Sequence, residues 1–448
     1  MAKHWILESM EKFRQQPAMV WREETVSYGQ LLAMIAAWEA HLHDSGVAPL
    51  ESVALVGDYS PQTAALLVAL IVNRNIAVPL TRGVTGAAKE QCLAIAEVEK
   101  VIEFDERDAW TVSPRLVCRA APLLQTLRES GQPGLVLFSS GSTGESKAIL
   151  HSFDRILDKF QRPRPALCSL VFLLLDHIGG INTLLSILTS GGLAVSISER
   201  TADTVCKAIE RWKVQLLPTS PTFLNILLMS EAYKKYDLSS LRLITYGTEP
   251  MPQATLQRVV EAFPGARLKQ TYGLSETGIF PTRSLENGSL QIKLGGQGFE
   301  TKVKGGTLWV KSPCAMLGYL NQPSPFDAEG WMDTSDVVET DGEWVRIIGR
   351  KSELINVGGE KVSPVEVEST ILQMDNIRDV IVRGKRSPVT GSIVTAHVVL
   401  HQPEDLEALT ERIQEFCLAR LPRHKVPLLI EVGGVRESER FKKIRLEG

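Results

Sequence analysis

Hydrophobic positions along the chain follow two spacings that alternate. Leu31, Ile35, Trp38 and Leu42 recur at helical intervals within residues 31–43, while residues 52–56 form a short unbroken apolar run. The first pattern predicts an amphipathic helix and the second a strand buried on both faces. An extended run at 25–28 precedes them. Residues 61–72, apolar almost throughout, predict a buried helix, and 77–80 a further strand. The rhythm returns with strands at 169–175, 193–197, 215–217 and 241–246, and helices at 181–189, 202–212 and 252–263. Strands separated by helices predict an α/β body built on parallel-type βαβ sheets.

The texture changes after about residue 290. Short alternating strands at 301–303, 307–310 and 344–348, broken by glycines, predict a small antiparallel, β-barrel-like portion. Beyond Gly349 a hairpin around Gly358 and Gly359 leads into a helix at 364–372. Strands at 380–383 and 393–400 follow, then a helix with Leu406, Leu409, Ile413 and Phe416 on one stripe, and a last strand at 428–432. These make a small α+β unit. The expected organisation is an N-terminal domain at 1–349 and a C-terminal domain at 350–448.

Composition narrows the function classes. Hydrophobic residues at 44% and charged residues at 23% describe a globular chain rather than a disordered or fibrous one. Lysine plus arginine (49) nearly balances aspartate plus glutamate (52), so charge gives no case for nucleic acid or an anionic membrane as the main partner. No apolar run approaches the roughly 18 residues of a membrane span. Residues 1–13 mix charges with apolar positions, unlike a signal peptide. The six cysteines are scattered without metal-ligand spacing, which reads as free thiols in a reducing compartment. The expected location is cytoplasmic.

The strongest local signal is Leu135-Val-Leu-Phe-Ser-Ser-Gly-Ser-Thr-Gly-Glu-Ser-Lys147. A hydrophobic strand runs into small hydroxylated residues and glycines closed by a lysine, offering amides, hydroxyls and a cation to a polyphosphate. Gly141 and Gly144 permit backbone approach that a side chain blocks. The spacing is not that of a Walker A loop, because Lys147 is followed by Ala148.

Together with five further motifs in the same order, this loop resembles the adenylate-forming enzymes, which include acyl-CoA synthetases, luciferases and peptide-synthetase adenylation domains. The others are Tyr246-Gly-Thr-Glu-Pro250, Gln270-Thr-Tyr-Gly-Leu-Ser-Glu276, Gly330-Trp-Met-Asp-Thr-Ser-Asp336, Gly349-Arg350 and Gly358-Gly-Glu-Lys-Val-Ser-Pro-Val-Glu-Val-Glu368. The resemblance implies that Ser139, Ser140, Gly141, Ser142, Thr143, Gly144 and Lys147 hold the β- and γ-phosphates of ATP. It implies that Gly247, Thr248, Glu249 and Pro250 border the adenine, that Tyr272 stacks on it, and that Gln270 and Gly273 also belong to the nucleotide site. Ser275 would approach the α-phosphate, Glu276 with Thr143 would ligate Mg²⁺, and Asp336 and Arg350 would meet the ribose.

The resemblance further implies a mobile C-terminal lid that brings a lysine to the reacting carboxylate and α-phosphate. Arg440-Phe-Lys-Lys-Ile-Arg445 offers Lys442 as the better match and Lys443 as the alternative. His177 falls where the family gates its acyl channel, and Ile178 stands where amino-acid-activating members keep an aspartate. Three departures are visible: Ser146 replaces the usual proline of the phosphate loop, Ser352 occupies the hinge position usually held by aspartate or lysine, and the stretch between 104 and 134 is compact. The expected activity is ATP-dependent activation of a carboxylic acid, fatty or aromatic, as an acyl-adenylate. The acyl group then passes to a pantetheine thiol, with CoA as the leading acceptor and a carrier protein's phosphopantetheine as the alternative. A non-catalytic nucleotide-binding paralogue is the reading from another class.

Overall fold

In the computed structural model, residues 4–140, 146–388, 390–434, 438, 441 and 443 are described, Ser140 by its backbone only. They pack as two compact units. The first comprises Met1–Pro218, Gly273–Ile279 and Lys311–Asp327, and the second Thr219–Tyr272, Phe280–Val310 and Ala328–Gly448.

The first unit holds a seven-stranded sheet in the order Gly318–Tyr319, Ser146–Ser152, Gly134–Ser140, Ile76–Leu80, Ser52–Val56, Lys100–Phe104, Trp110–Pro114. Its central pairs are parallel and its outer ones antiparallel. Ser52–Val56 and Ile76–Leu80 are buried along their whole length, as strands covered on both faces must be. A second set of strands pairs Cys168–Leu170 with Leu193–Val195, Leu193–Val195 with Pro17–Trp21, and Pro17–Trp21 with Glu24–Ser27. Between these layers lies the helix Pro61–Val72, in which only Gln62 and Val72 escape full burial. Its start is fixed by a reciprocal Ser60–Thr63 cap and by Pro61, whose missing N–H costs nothing in the first turn. Tyr28, at the head of the capped helix Tyr28–Asp44, is buried and donates to the carbonyls of Ile187 (3.0 Å) and Gly192 (2.8 Å). Burial alone pushes its phenol well above the ordinary value.

The second unit contains the parallel pair Leu243–Tyr246 and Arg267–Gln270 and a curved six-stranded sheet. That sheet runs in the order Thr282–Ser284, Gln291–Leu294, Trp344–Arg350, Met332–Asp341, Thr307–Lys311, Glu300–Lys304. Its C-terminal part has a core of its own. The strands Glu360–Val362, Ile355–Val357, Gly391–Leu400 and Ile377–Ser387 form one sheet, and Leu429–Val432 adds in parallel to Gly391–Leu400. The helices Pro364–Ile371 and Leu406–Leu418 bury Val367, Ile371, Leu409 and Ile413 against it. The fold is thus the expected mixed α/β architecture with a barrel-like sheet and a small α+β portion.

Element boundaries differ from expectation in one place that matters. The apolar run at 169–175 is not one strand. Pairing stops at Leu170, residues 171–177 turn irregularly, and the next helix begins at Ile178 rather than 181. His177 is the reason: its Nδ1 accepts from the Gly179 amide (3.0 Å) and caps the helix. Sequence periodicity also passed over the helices Trp5–Glu11, Pro122–Ser130 and Pro221–Ser230. Four of the six free cysteines are buried, while Cys168 is half-buried and Cys118 exposed. Among the described residues no helix is long and apolar enough to cross a membrane.

The first turn of the helix Ile178–Ser190 sits so close to the preceding segment that a Cβ on Gly180 would collide with the Leu174 carbonyl. That atom is backbone and cannot swing aside. Gly180→Ala is expected to destabilise by about 2–3 kcal/mol in urea unfolding, the range of overpacking strain.

Candidate functional site

The strands that flank the expected phosphate loop pair as a hairpin in the first unit. Gly134–Ser140 and Ser146–Ser152 pair antiparallel in register, with Ser139 opposite Lys147 and Ser140 opposite Ser146. Gly141, Ser142, Thr143 and Gly144 lie outside the described residues. Asn321 holds the hairpin's return strand: its Oδ1 accepts from the Ala148 amide (2.9 Å) and its Nδ2 donates to the Ser146 carbonyl (2.9 Å). The ammonium of Lys147 lies 5.4 Å from the centre of the Tyr319 ring, within cation–π range. The Tyr319 hydroxyl donates to Glu276 Oε1 at 2.7 Å. A cation, a phenol and a carboxylate are therefore joined in sequence.

Residues 275–277 are held by three successive carbonyls. Ser275 O accepts from His151 Nε2 (2.7 Å), Glu276 O from the Met316 amide (2.8 Å) and Thr277 O from Ser312 Oγ (2.7 Å). His151 is fully buried, and the Ser275 carbonyl can only accept from its Nε2. The ring is therefore the neutral tautomer with its proton on Nε2, and burial pulls its pKa down to about 4.

Gly247 to Pro250, expected to border an adenine, and Gln270 lie in the second unit at the carboxyl ends of its parallel strands, where open α/β sheets place their ligands. Gly247 follows Leu243–Tyr246 and approaches Thr271 too closely for a side chain. The Thr271 amide and hydroxyl both donate to the Tyr246 carbonyl (2.7 and 3.1 Å). Thr248 has φ +74°, a strained conformation for a β-branched residue. Glu249 Oε1 accepts from the Thr222 amide at 2.8 Å and so caps the helix Pro221–Ser230, while Pro250 closes the turn. Gln270 is buried, and its Oε1 meets no donor among the described residues.

Asp336 joins three motifs. It is 7% exposed, and its Oδ2 accepts from the Tyr272 hydroxyl at 2.7 Å. Arg350 stands opposite it in the antiparallel pair, with Nε 3.6 Å from Oδ1. Burial raises the carboxyl pKa, opposed by the Tyr272 bond and the Arg350 charge. Burial and then the carboxylate raise the Tyr272 phenol well above its ordinary value. Ser335, immediately before, has φ +59°. Gly273, on the other side of Tyr272, packs against Gly278 and Ile279 in the first unit.

Comparison with known proteins decides the family. The AMP-binding enzyme family matches residues 6–320, and the AMP-binding enzyme C-terminal domain matches 366–434. The chain belongs to the AMP-binding enzyme family. An indoleacetate–CoA ligase of Aromatoleum aromaticum is 28% identical over 90% of this chain and 89% of its own. A 4-coumarate–CoA ligase-like protein of Arabidopsis thaliana is 29% identical over 70% of this chain and 61% of its own. An anthranilate CoA ligase solved with anthranoyl-AMP superimposes with a TM-score of 0.84 at 21% identity, over 98% of this chain and 95% of its own.

Within this AMP-binding enzyme the structure adds residues that motif reading missed. His151, Tyr319 and Asn321 carry no motif, yet each holds a motif residue in place, and Ser312 holds Thr277 directly beside one. Only His151 left a trace in the sequence, as a lone imidazole in the strand Ser146–Ser152. Lys442 lies outside the described residues, and Lys443 is buried in an ion pair with Asp379. No cluster of three metal-ligating side chains occurs among the described residues.

His151 carries a prediction. The folded protein binds its proton near pH 4 and the unfolded chain near 6.5, so stability is full above about pH 6.5 and is lost as pH falls toward 4. The whole contribution is about 3 kcal/mol. His151→Gln retains an amide donor for Ser275 O, and its urea-unfolding stability is expected to change less across that window.

Proposed function

We propose that this AMP-binding enzyme activates an aromatic carboxylic acid with ATP and transfers the acyl group to CoA, working in the cytoplasm. The chain is an AMP-forming ligase of the acyl-CoA synthetase type. In the first step a carboxylate oxygen bonds to the α-phosphorus, the bond to the β-phosphate bridging oxygen breaks, and pyrophosphate leaves. In the second, a thiolate sulfur attacks the acyl carbon, AMP leaves with the electron pair of the broken C–O bond, and the thiol proton passes to solvent. Adenylation is needed because a carboxylate is a poor electrophile.

The observation that carries this reading is the Lys147–Tyr319–Glu276 chain on a segment pinned by three carbonyls. Lys147 and the loop from Ser139 suit the β- and γ-phosphates. Glu276, with one oxygen on Tyr319, suits Mg²⁺, which takes one or two carboxylates and completes its shell with phosphate and water. When bound, that ion neutralises charge on the polyphosphate. In the second unit, Gln270 Oε1 is a buried acceptor suited to an N–H of a base, and Asp336 is an acceptor suited to ribose hydroxyls beside Arg350. Pro364 and the Gly358–Gly359 turn fit a lid that pivots at 349/350, with Ser352 at the hinge. His177, which caps the helix Ile178–Ser190, suits the gate of an acyl channel. The aromatic preference is supported by the arylacetate, coumarate and anthranilate ligases among the relatives and by the apolar Ile178 at the amine-anchor position.

Pyrophosphate exchange into ATP across a panel of arylacetates, cinnamates, benzoates and fatty acids tests the reading. Stimulation by an aromatic acid, followed by AMP release on adding CoA, is the expected result. Exchange without CoA turnover would move the acceptor to a carrier protein, and no exchange with any acid would refute the proposal. Lys442→Ala is expected to slow exchange by about 10²–10³, the effect of removing one transition-state charge donor. Thioester formation from supplied acyl-AMP should persist.

A further inference from the structure

The terminal segment is docked by residues on both sides of position 442, all within the second unit. Lys443 Nζ lies 2.7 Å from Asp379 Oδ1 and 2.7 Å from the Val380 carbonyl, and both side chains of the pair are buried. Asp379 Oδ1 also accepts from Asn225 Nδ2 at 3.0 Å and from the Val380 amide at 2.8 Å. On the other side, the Phe441 carbonyl accepts from Ser220 Oγ at 2.8 Å, and its ring meets Phe223 edge-on with centroids 5.3 Å apart. Ser220, Phe223 and Asn225 belong to the helix Pro221–Ser230 and its cap. The same helix receives Glu249 of the Gly247–Pro250 loop on its Thr222 amide.

Two features show that this docking is built rather than incidental. A buried ammonium needs a carboxylate and a carbonyl arranged around it, because a charge taken from water without partners is costly. Phe441 has φ +50°, a conformation that a bulky residue keeps only where its surroundings enforce it. The enforcing groups are Ser220 and Phe223, outside the C-terminal domain.

We propose that Asp379 is a positioning residue for adenylation, seating the segment that carries Lys442 through Lys443 and Asn225. The inference rests on the proposed adenylation reaction and goes beyond it by dividing the paired lysines. Lys443 is the anchor, and Lys442 is left to meet the substrate anions. The Lys443–Asp379 pair lies wholly within the C-terminal part and travels with it. The Asn225–Asp379 and Ser220–Phe441 bonds join that part to the body, so they must open when the lid turns for thioester formation.

Asp379→Asn and Lys443→Gln test this, with each half-reaction measured separately. The expected result is pyrophosphate exchange slowed roughly tenfold or more, at unchanged KM for ATP and acid, with thioester formation from supplied acyl-AMP within about twofold of wild type. Lys443→Arg should restore part of the exchange. A proportional fall in both half-reactions would mean a merely structural pair, and unchanged exchange would mean no role; either overturns the proposal. A second measurement needs no substrate. Trypsin should cleave after Arg440, Lys442 and Lys443 about tenfold faster in Asp379→Asn than in wild type, because cleavage follows the population of the undocked segment. Equal cleavage overturns the anchoring. A wild type that exchanges with no acid refutes the adenylation reading instead, and the tryptic comparison then decides the anchor alone.

Discussion

A carboxylate removed from water must be met by donors, and Asp336 is where this protein accepts that constraint. Desolvating such a group costs on the order of several kcal/mol, offset here by a phenol and by a guanidinium that is itself half in solvent. Because the donors come from Tyr272 and Arg350, one interaction ties two adjacent strands to a residue 64 positions earlier in the chain. The curved sheet supplies the geometry: Asp336 and Arg350 face each other across its two longest strands. Tyr272 arrives directly after the parallel strand Arg267–Gln270.

A different device serves the other unit. There, the backbone carbonyls of residues 275–277 are bonded, so the segment is oriented while the Glu276 carboxylate commits one oxygen only, to Tyr319. His151 contributes as a neutral donor, and its burial protects that state near neutral pH. In the second unit, Thr248 and Ser335 hold left-handed backbones directly beside predicted ligand residues. Such conformations persist where neighbouring structure over-determines them, a habit of binding loops.

The fold class was legible because its central strands are short apolar runs and its helices are either apolar almost throughout, as at 61–72, or regularly spaced, as at 202–212. Reading failed where local chemistry overrode period. The 169–175 run ends early because His177 caps a helix, and the helix Pro221–Ser230 hides behind a proline that reads equally as a turn. Motif residues were legible since each combines a glycine with a charge. Their supports were not, because Tyr319 and Asn321 approach Glu276 and the hairpin only through tertiary pairing of the strand Gly318–Tyr319. Nothing in their neighbours' sequence announces a partner more than 40 residues away, and the same holds for Asp379 and Lys443.

The first unit is discontinuous: after Pro218 it borrows Gly273–Ile279 and then Lys311–Asp327. During translation, which proceeds from the N-terminus at about 5–20 residues per second, its main sheet lacks an edge strand until Tyr319 has emerged. The ribosome therefore releases the first 218 residues with the return strand Ser146–Ser152 unpaired on one side, a template for wrong partners. Vectorial folding of this half is closed off, and its completion waits for the segments 273–279 and 311–327 to be made.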